Sequence, residues 1–355
     1  MTYFISEIRK QHERQLPFVL YSKPNSDQVI GLLQQNDTLY SVVDFTEKGF
    51  VFASFDGNKT YFIPDNQSEE ISFVFDKKTI AIPEIEIATV NLEAKKEFQM
   101  LVAKGIQAIE NETFKKVVLS RQESLECPNF DAVAVFHNLV ELYPSTFVYC
   151  FFHPKVGMWL GATPEQLVRV NDTVFETIAL AGTQKDTGTA TVKWQAKETE
   201  EQQIVTDYIV TKLQNIASEV HVSDAYSVKA GSIWHIKTNI SGVLNANANV
   251  KNIIELLHPT PAVCGLPKEK AKAFIIANEQ YDRTFYTGFL GELNRKELNM
   301  KQSSDLFVNL RCMQIKEQVA IVYMGCGITK DSIPEKEWEE SVNKSMTMKR
   351  SLVVS

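Results

Sequence analysis

Two carboxylates and a lysine recur at one-turn spacing near the end of the chain, in Ser332-Ile333-Pro334-Glu335-Lys336-Glu337-Trp338-Glu339-Glu340-Ser341-Val342-Asn343-Lys344. Pro334 suits the first turn of a helix, where its missing N–H costs nothing, and Ser332 just before it can cap. Glu337, Glu340 and Lys344 then stand at i, i+3 and i+7 and project from one face. Such a face can hold a hard divalent cation with an anion beside it, or it can be a solvated charged surface. Mg²⁺ suits the sparse supply, because it is usually held by one or two carboxylates with substrate oxygens and water completing its shell.

Other residues offer complementary chemistry. Lys116 opens the strand-like run Lys116-Val117-Val118-Leu119-Ser120-Arg121. On so apolar a strand its amine would be partly desolvated, which lowers its pKa and lets it act as a base; the alternative is a strand-end lysine reaching back to water. Glu165, in Gly161-Ala162-Thr163-Pro164-Glu165, is presented from a rigid turn and needs burial to raise its pKa if it is to donate a proton. Glu201 lies three and four residues before Ile204 and Val205, so it points along the apolar face of a long helix, where a metal would neutralise it. Leu180-Ala181-Gly182-Thr183 reads as a small-residue turn that could offer N–H groups to an anion. Arg311 is a charge inside a strand pattern that should meet a carboxylate, and Gly325-Cys326-Gly327 would let a ligand sit against backbone. His258, in the Pro-framed loop His258-Pro259-Thr260-Pro261-Ala262, reads as a structural histidine when taken alone.

These groups must be positioned by a chain of 355 residues, enough for one large domain or two. A hydrophobic content of 44% and a charged content of 23% are those of a soluble globular protein. The net charge of −7, with no Lys/Arg-rich stripe, argues against a nucleic-acid partner, so an anionic ligand must be held by local charges or a metal. Five dispersed cysteines without CxxC spacing read as free thiols in a reducing compartment. The first ten residues lack an apolar signal core, and the longest apolar run, 319–328, is too short to span a bilayer. A cytoplasmic protein away from the membrane is expected, and a monomer, since no apolar stripe is left without a core assignment.

Residues 1–90 read as short strands, with Asp56-Gly57-Asn58 as a hairpin turn. Helices are expected from Asn91 to about 111, over 131–142, 193–217, 249–257 and 267–277, and from 334 onward; strands fall between, with 305–316 as one run. Hairpins without a regular βαβ alternation predict an α+β protein with largely antiparallel sheets.

Taken in order, these segments resemble the chorismate-utilising enzymes, and within them the isochorismate synthases. The resemblance rests on Lys-Val-Val-Leu-Ser-Arg (116–121), Gly-Ala-Thr-Pro-Glu (161–165), Leu-Ala-Gly-Thr (180–183) and Lys197-x-x-x-Glu201. It continues through His-Pro-Thr-Pro-Ala-Val-Cys-Gly (258–265), Tyr-Thr-Gly-Phe-Leu-Gly (286–291), Leu-Arg-Cys (310–312), Gly-Cys-Gly-Ile (325–328) and Pro-Glu-x-Glu-Trp-x-Glu (334–340) with Lys344. It implies two orthogonally packed, largely antiparallel sheets with helices outside, residues 1–90 being a strand-rich part of the same fold and 91–355 the catalytic region. It implies that Lys116 activates water for attack at C2 of chorismate and that Glu165 protonates the departing C4 hydroxyl. Glu201 and Glu340 would bind Mg²⁺ with help from Glu337. Arg311 and Lys344, with Gly182, Thr183, His258 and Gly325 around them, would bind the substrate.

Isochorismate would feed menaquinone or siderophore synthesis. Two relatives remain as alternatives: a salicylate synthase, which also expels pyruvate, and the chorismate-binding component of aminodeoxychorismate synthase. Three departures stand out: Gln202 where many relatives have histidine, Cys326 where many have alanine, and Lys237 where the synthases commonly have alanine. Lys237 is the one expected to alter how far the reaction proceeds.

Overall fold

The computed structural model describes residues 2–75, 91–186, 188, 191–230, 233–296 and 302–353. Their strands form two sheets, and every pairing is antiparallel. The first sheet runs in space through Gly265–Leu266, Lys116–Glu126, Val319–Ile328, Cys312–Lys316, Gly157–Thr163, Phe147–His153, Phe18–Ser22, Gln28–Gln34 and Ser68–Val74. The second runs through Ala217–Val222, Ile233–Leu244, Val174–Lys185, Gln166–Asn171, Gln302–Val308, Phe289–Lys296, Gly49–Ala53, Thr60–Pro64 and Tyr40–Ser41, with Tyr226–Ala230 also paired to Ile233–Leu244. Strands from the first 75 residues enter both sheets.

Strand parity explains the layering. In Phe147–His153, Phe147, Tyr149 and Phe151 face one way and join Phe50, Phe52, Leu290 and Phe307 of the other sheet in an aromatic core. Val148, Cys150 and Phe152 face the other way, into a core shared with the helices Thr2–Glu13 and Ala132–Leu142. With both faces covered, the strand is buried throughout and its sequence loses the apolar–polar alternation of a half-exposed sheet. The second sheet is covered on its outer face by Ala196–Leu213 and Val250–Leu257. Leu92–Glu110, Lys268–Asn278 and Pro334–Val353 close over the edge that carries Lys116.

Local chemistry sets several boundaries. Asn91 accepts from the N–H groups of Glu93 and Ala94, and Asp131 from those of Val133 and Ala134, so both expected helices start at a side-chain cap. Ser332 does not cap the last helix; its Oγ accepts from the N–H of Thr329, while Ile333 O receives Glu337 N–H. The helix Thr2–Glu13 was not expected, and it is held by Phe4, Ile8 and Gln11 on one buried face. The expected long helix 193–217 is shorter, Ala196–Leu213, and a strand begins at Ala217. The single run expected over 305–316 is two strands, broken by a turn at 309–311.

That turn is tied down from the first sheet. Tyr149 Oη donates to Asn309 Oδ1 at 2.7 Å, and Ala162 N–H to Arg311 O at 3.0 Å. Gly161 lies between these contacts: a methyl there would stand 2.6 Å from Tyr149 Cε1 and 3.1 Å from Arg311 O. Gly161→Ala should therefore lose about 1–3 kcal/mol of stability by overpacking, seen as a lower urea midpoint with unchanged slope. An unchanged midpoint would show that the turn has room to move.

Candidate active site

The cleft is built on the paired strands Lys116–Glu126 and Val319–Ile328, where Gly325 stands opposite Ser120 and Gly327 opposite Val118. Lys116 is fully buried, with Nζ 2.8 Å from Glu201 Oε1. The contact is an ion pair whose angle is not that of a hydrogen bond, so the ammonium keeps hydrogen-bonding capacity to spare. Gly327 makes the pair possible: a Cβ there would collide with Glu201 Oε1 and lie 3.2 Å from Lys116 Cε. Glu201 does face inward from its helix as its spacing predicts, and it lines the cleft.

Glu165 and Arg311 enter from adjoining turns. Glu165 sits between Gly157–Thr163 and Gln166–Asn171, and its carbonyl accepts the N–H of Val308 at 2.9 Å, just before the turn that carries Arg311. Its side chain is 6% exposed, and burial pushes its pKa from 4.5 up to about 7, against the opposing pull of Lys116, Arg311 and Lys344. Arg311 adopts φ 46°, in the left-handed region, and is a turn residue, not a strand residue. The carboxylate partner expected for it is absent: its guanidinium makes no hydrogen bond or ion pair among the described residues. It faces the cleft with its donors unspent. Burial lowers its pKa, yet arginine remains charged under any working condition.

The last helix supplies the remaining charges. Lys344 Nζ lies 2.6 Å from Glu340 Oε1 and donates to Gly325 O at 2.9 Å. Glu340 and Lys344 line the cleft; Glu337, 1% exposed, stands behind them. Ligand atoms of Cys326, Glu337 and Glu340 come within 4.8 Å of one another. Glu201 and Glu340 both present hard oxygen donors to the cleft, and each already has a lysine ammonium against it. The site therefore accommodates positive charge at both carboxylates, and its donor set fits Mg²⁺.

Two further expectations differ from the structure. Leu180–Thr183 is part of the strand Val174–Lys185, with a bulge between Ala181 and Thr183, and is no separate turn. Gly182 at φ 73° lets the following helix approach, since a Cβ would stand 3.1 Å from Glu198 Cβ; the side chain of Thr183 lies outside the described residues. His258 does not line the cleft. Its Nε2 lies 3.2 Å from Ser54 O and its ring packs edge-on against Phe289, so it braces the 258–265 loop against its neighbours.

Sequence reasoning passed over two cleft residues. His235 lines it with Nδ1 3.1 Å from Gly182 O, and burial lowers its pKa to about 3, so it is neutral there. Tyr286 also lines it and stacks on Tyr323. Tyr286 opens the motif 286–291 and His235 lies two residues before Lys237, but only three-dimensional pairing aims them at the cleft. The cleft is partly open to solvent, and its charged lining suits a small polyanion.

An α+β scaffold with a cleft of buried carboxyls facing Arg and Lys defines an anion-handling site. The profile of the family described as "Chorismate binding enzyme" matches residues 55–353, so the chain belongs to the chorismate-binding enzymes. It is 28% identical over 261 residues to the isochorismate synthase EntC of Escherichia coli K12, covering 71% of this chain but only 66% of that protein. Over 314 residues it is 27% identical to the isochorismate synthase MenF of Pasteurella multocida, covering 81% of this chain and 70% of that one. The solved structure of MenF, the menaquinone-specific isochorismate synthase of Escherichia coli, superposes with a TM-score of 0.78 at 22% identity, covering 95% of this chain and 88% of that one. That likeness establishes the expected fold.

Glu165 yields a stability test. Below about pH 4.5 its carboxyl is protonated whether the chain is folded or not; between about 4.5 and 7 the unfolded chain ionises it while the folded chain keeps the proton, so stability falls across that window and stays low above it. A tenfold change in proton affinity is about 1.4 kcal/mol, so at pH 8 Glu165→Gln should be the more stable protein by on the order of 3 kcal/mol. Its urea midpoint should rise above the wild type's at pH 8 and converge with it at pH 4.5. A variant no more stable at pH 8 would show that the carboxyl is not strained by burial.

Proposed function

We propose that this chain is an isochorismate synthase, moving the hydroxyl of chorismate by adding water at C2 and releasing the C4 hydroxyl as water. The observation that carries the reading is Glu165, a buried carboxyl with a pKa of about 7 in a cleft lined also by Arg311 and Lys344, with Lys116 buried behind it against Glu201. Such a carboxyl is half-protonated near neutrality and suits a general acid. Arg311 would take one substrate carboxylate on its unspent donors, and Lys344 would help hold the other. Lys116 would receive a proton from the attacking water. For that it must be neutral, so the resting contact with Glu201 must open before chemistry. Glu165 would give its proton to the C4 oxygen as the C–O bond breaks, and the two transfers balance. Glu201 and Glu340 would hold Mg²⁺ with Glu337 behind them, and the bound ion would supply positive charge to a substrate carboxylate. One solved relative is named as menaquinone-specific and another as 2,3-dihydroxybenzoate-specific, and these names support a product that enters menaquinone or siderophore synthesis.

The test is chromatography of chorismate incubated with the protein and Mg²⁺, with and without ammonia, alongside a pyruvate assay. A chorismate–isochorismate mixture without pyruvate is expected. Stoichiometric pyruvate would make it a salicylate synthase, and an ammonia-dependent product the amination component. Chelation should abolish turnover and Mg²⁺ restore it; full activity in metal-free buffer would remove the metal from the reading.

Lys116→Ala should cost on the order of 10²–10⁴ in rate while chorismate still binds, and a loss below about tenfold would make Lys116 structural. Turnover should fall above about pH 7 as Glu165 ionises. A profile still rising there would take the acid's role from it.

A further inference from the structure

The segment between Lys268–Asn278 and Phe289–Lys296 carries Arg283, which is 2% exposed. All five of its N–H groups find acceptors. Nε donates to Glu279 Oε2 at 2.7 Å and Nη2 to Glu279 Oε1 at 2.6 Å. Nη2 also donates to Val118 O at 2.7 Å, and Nη1 to Val263 O at 3.0 Å and Thr287 Oγ1 at 3.2 Å. Glu279 Oε1 in turn accepts the N–H and the hydroxyl of Ser120, at 2.7 and 2.8 Å.

The three groups beyond Glu279 share one property: Val118, Val263 and Thr287 all line the cleft. They come from three separate stretches of chain. Val118 is two residues from Lys116 on its strand, Val263 belongs to the 258–265 loop, and Thr287 leads into Phe289–Lys296. Thr287 passes the hold onward, since its N–H donates to Asn309 O at 2.9 Å, two residues before Arg311. One guanidinium thus connects the strand of Lys116 to the turn of Arg311.

We propose that Arg283, oriented by Glu279, is a positioning residue that sets Lys116 against Arg311 across the cleft without touching substrate. The inference rests on the cleft being the reaction site. Stability alone does not account for the pair, because a buried ion pair contributes little beyond what well-packed apolar residues would. A lysine would keep the charge but not the planar fork, and three donors cannot replace five. Displacement of a reacting group by about 1 Å can cost on the order of 10²-fold in rate.

Arg283→Lys separates positioning from bulk stability. With chorismate as substrate, kcat should fall about 10²-fold while KM moves less than about threefold, because Arg311 and Lys344 keep their own side chains. Amide hydrogen exchange should quicken at Val118, Ser120, Cys264 and Thr287 and stay unchanged in Phe18–Ser22. Should that variant not fold, Ser120→Ala removes one bond to Glu279 and should show the same two signatures more weakly. Near-wild-type kcat in a folded variant, or exchange that rises everywhere or nowhere, would overturn the proposal. A wild-type protein that leaves chorismate untouched would sink the proposed function instead, and the exchange pattern alone would then decide the role of Arg283.

Discussion

Everything in the cleft answers to one constraint: charges cannot be buried unless they nearly cancel. Two cations, Arg311 and Lys344, line it with three carboxyls, Glu165, Glu201 and Glu340, and a third, Lys116, is buried against Glu201. Glu201 and Glu340 each take a lysine, which leaves Arg311 facing open space and Glu165 without a partner of its own. Desolvation then wins over the attraction of three more distant cations, and Glu165 becomes the carboxyl that keeps a proton near neutrality. The carboxyl proposed as general acid is thus the one excluded from pairing. A chain of net charge −7 could take an anion here because Arg311 keeps its donors free toward the cleft while Glu165 holds a proton near neutrality.

The backbone meets that constraint with close approaches. Gly327 clears the space in which the Lys116–Glu201 pair lies, and Gly325 faces Tyr286 Oη, which a Cβ would approach to 2.9 Å. Gly182 lets the helix of Glu201 come down onto the second sheet. On the far wall the turns of Glu165 and Arg311 are hydrogen-bonded to each other, so acid and anion grip move as a unit. Arg283 joins this unit to the strand of Lys116 from below. A solid aromatic core between the sheets, including Trp159 and Phe52, gives these turns a fixed footing.

What was legible in the sequence was local. Asn91 and Asp131 announce helix starts by side-chain chemistry, and Glu201, Glu340 and Lys344 announce their direction by helical period. Lys116 and Glu165 were legible as types in the right segments. The turn of Arg311 was not, because its cause is a hydrogen bond from Tyr149, 160 residues away in sequence. The helix Thr2–Glu13 escaped because its buried face has only Phe4, Gln11 and Ile8, too sparse for a periodic signal. His258 read as structural when taken alone, and only the resemblance placed it at the substrate; its burial against Ser54 O supports the first reading. Arg283 offered only its i−4 pairing with Glu279; its reach to Val118 O and Val263 O, backbone carbonyls of distant segments, has no sequence signature.

The departures from the related synthases fall behind the cleft, and that location limits what they can do. Gln202 Nε2 donates to Thr206 Oγ1 at 2.8 Å and Thr238 Oγ1 at 2.6 Å, fastening the helix of Glu201 to Ile233–Leu244. Cys326 donates its thiol to Glu337 O at 3.2 Å from the face of its strand opposite the two glycines. Lys237, half-buried, does not line the cleft, so the influence on the reaction expected of it has no direct route. Each change alters how a carboxylate or strand is backed and leaves the groups facing the substrate in place. On the proposed reading, differences of this kind would act on the orientation of Glu201 and Glu340 and so on cation affinity, and would leave Lys116 and Glu165 in place.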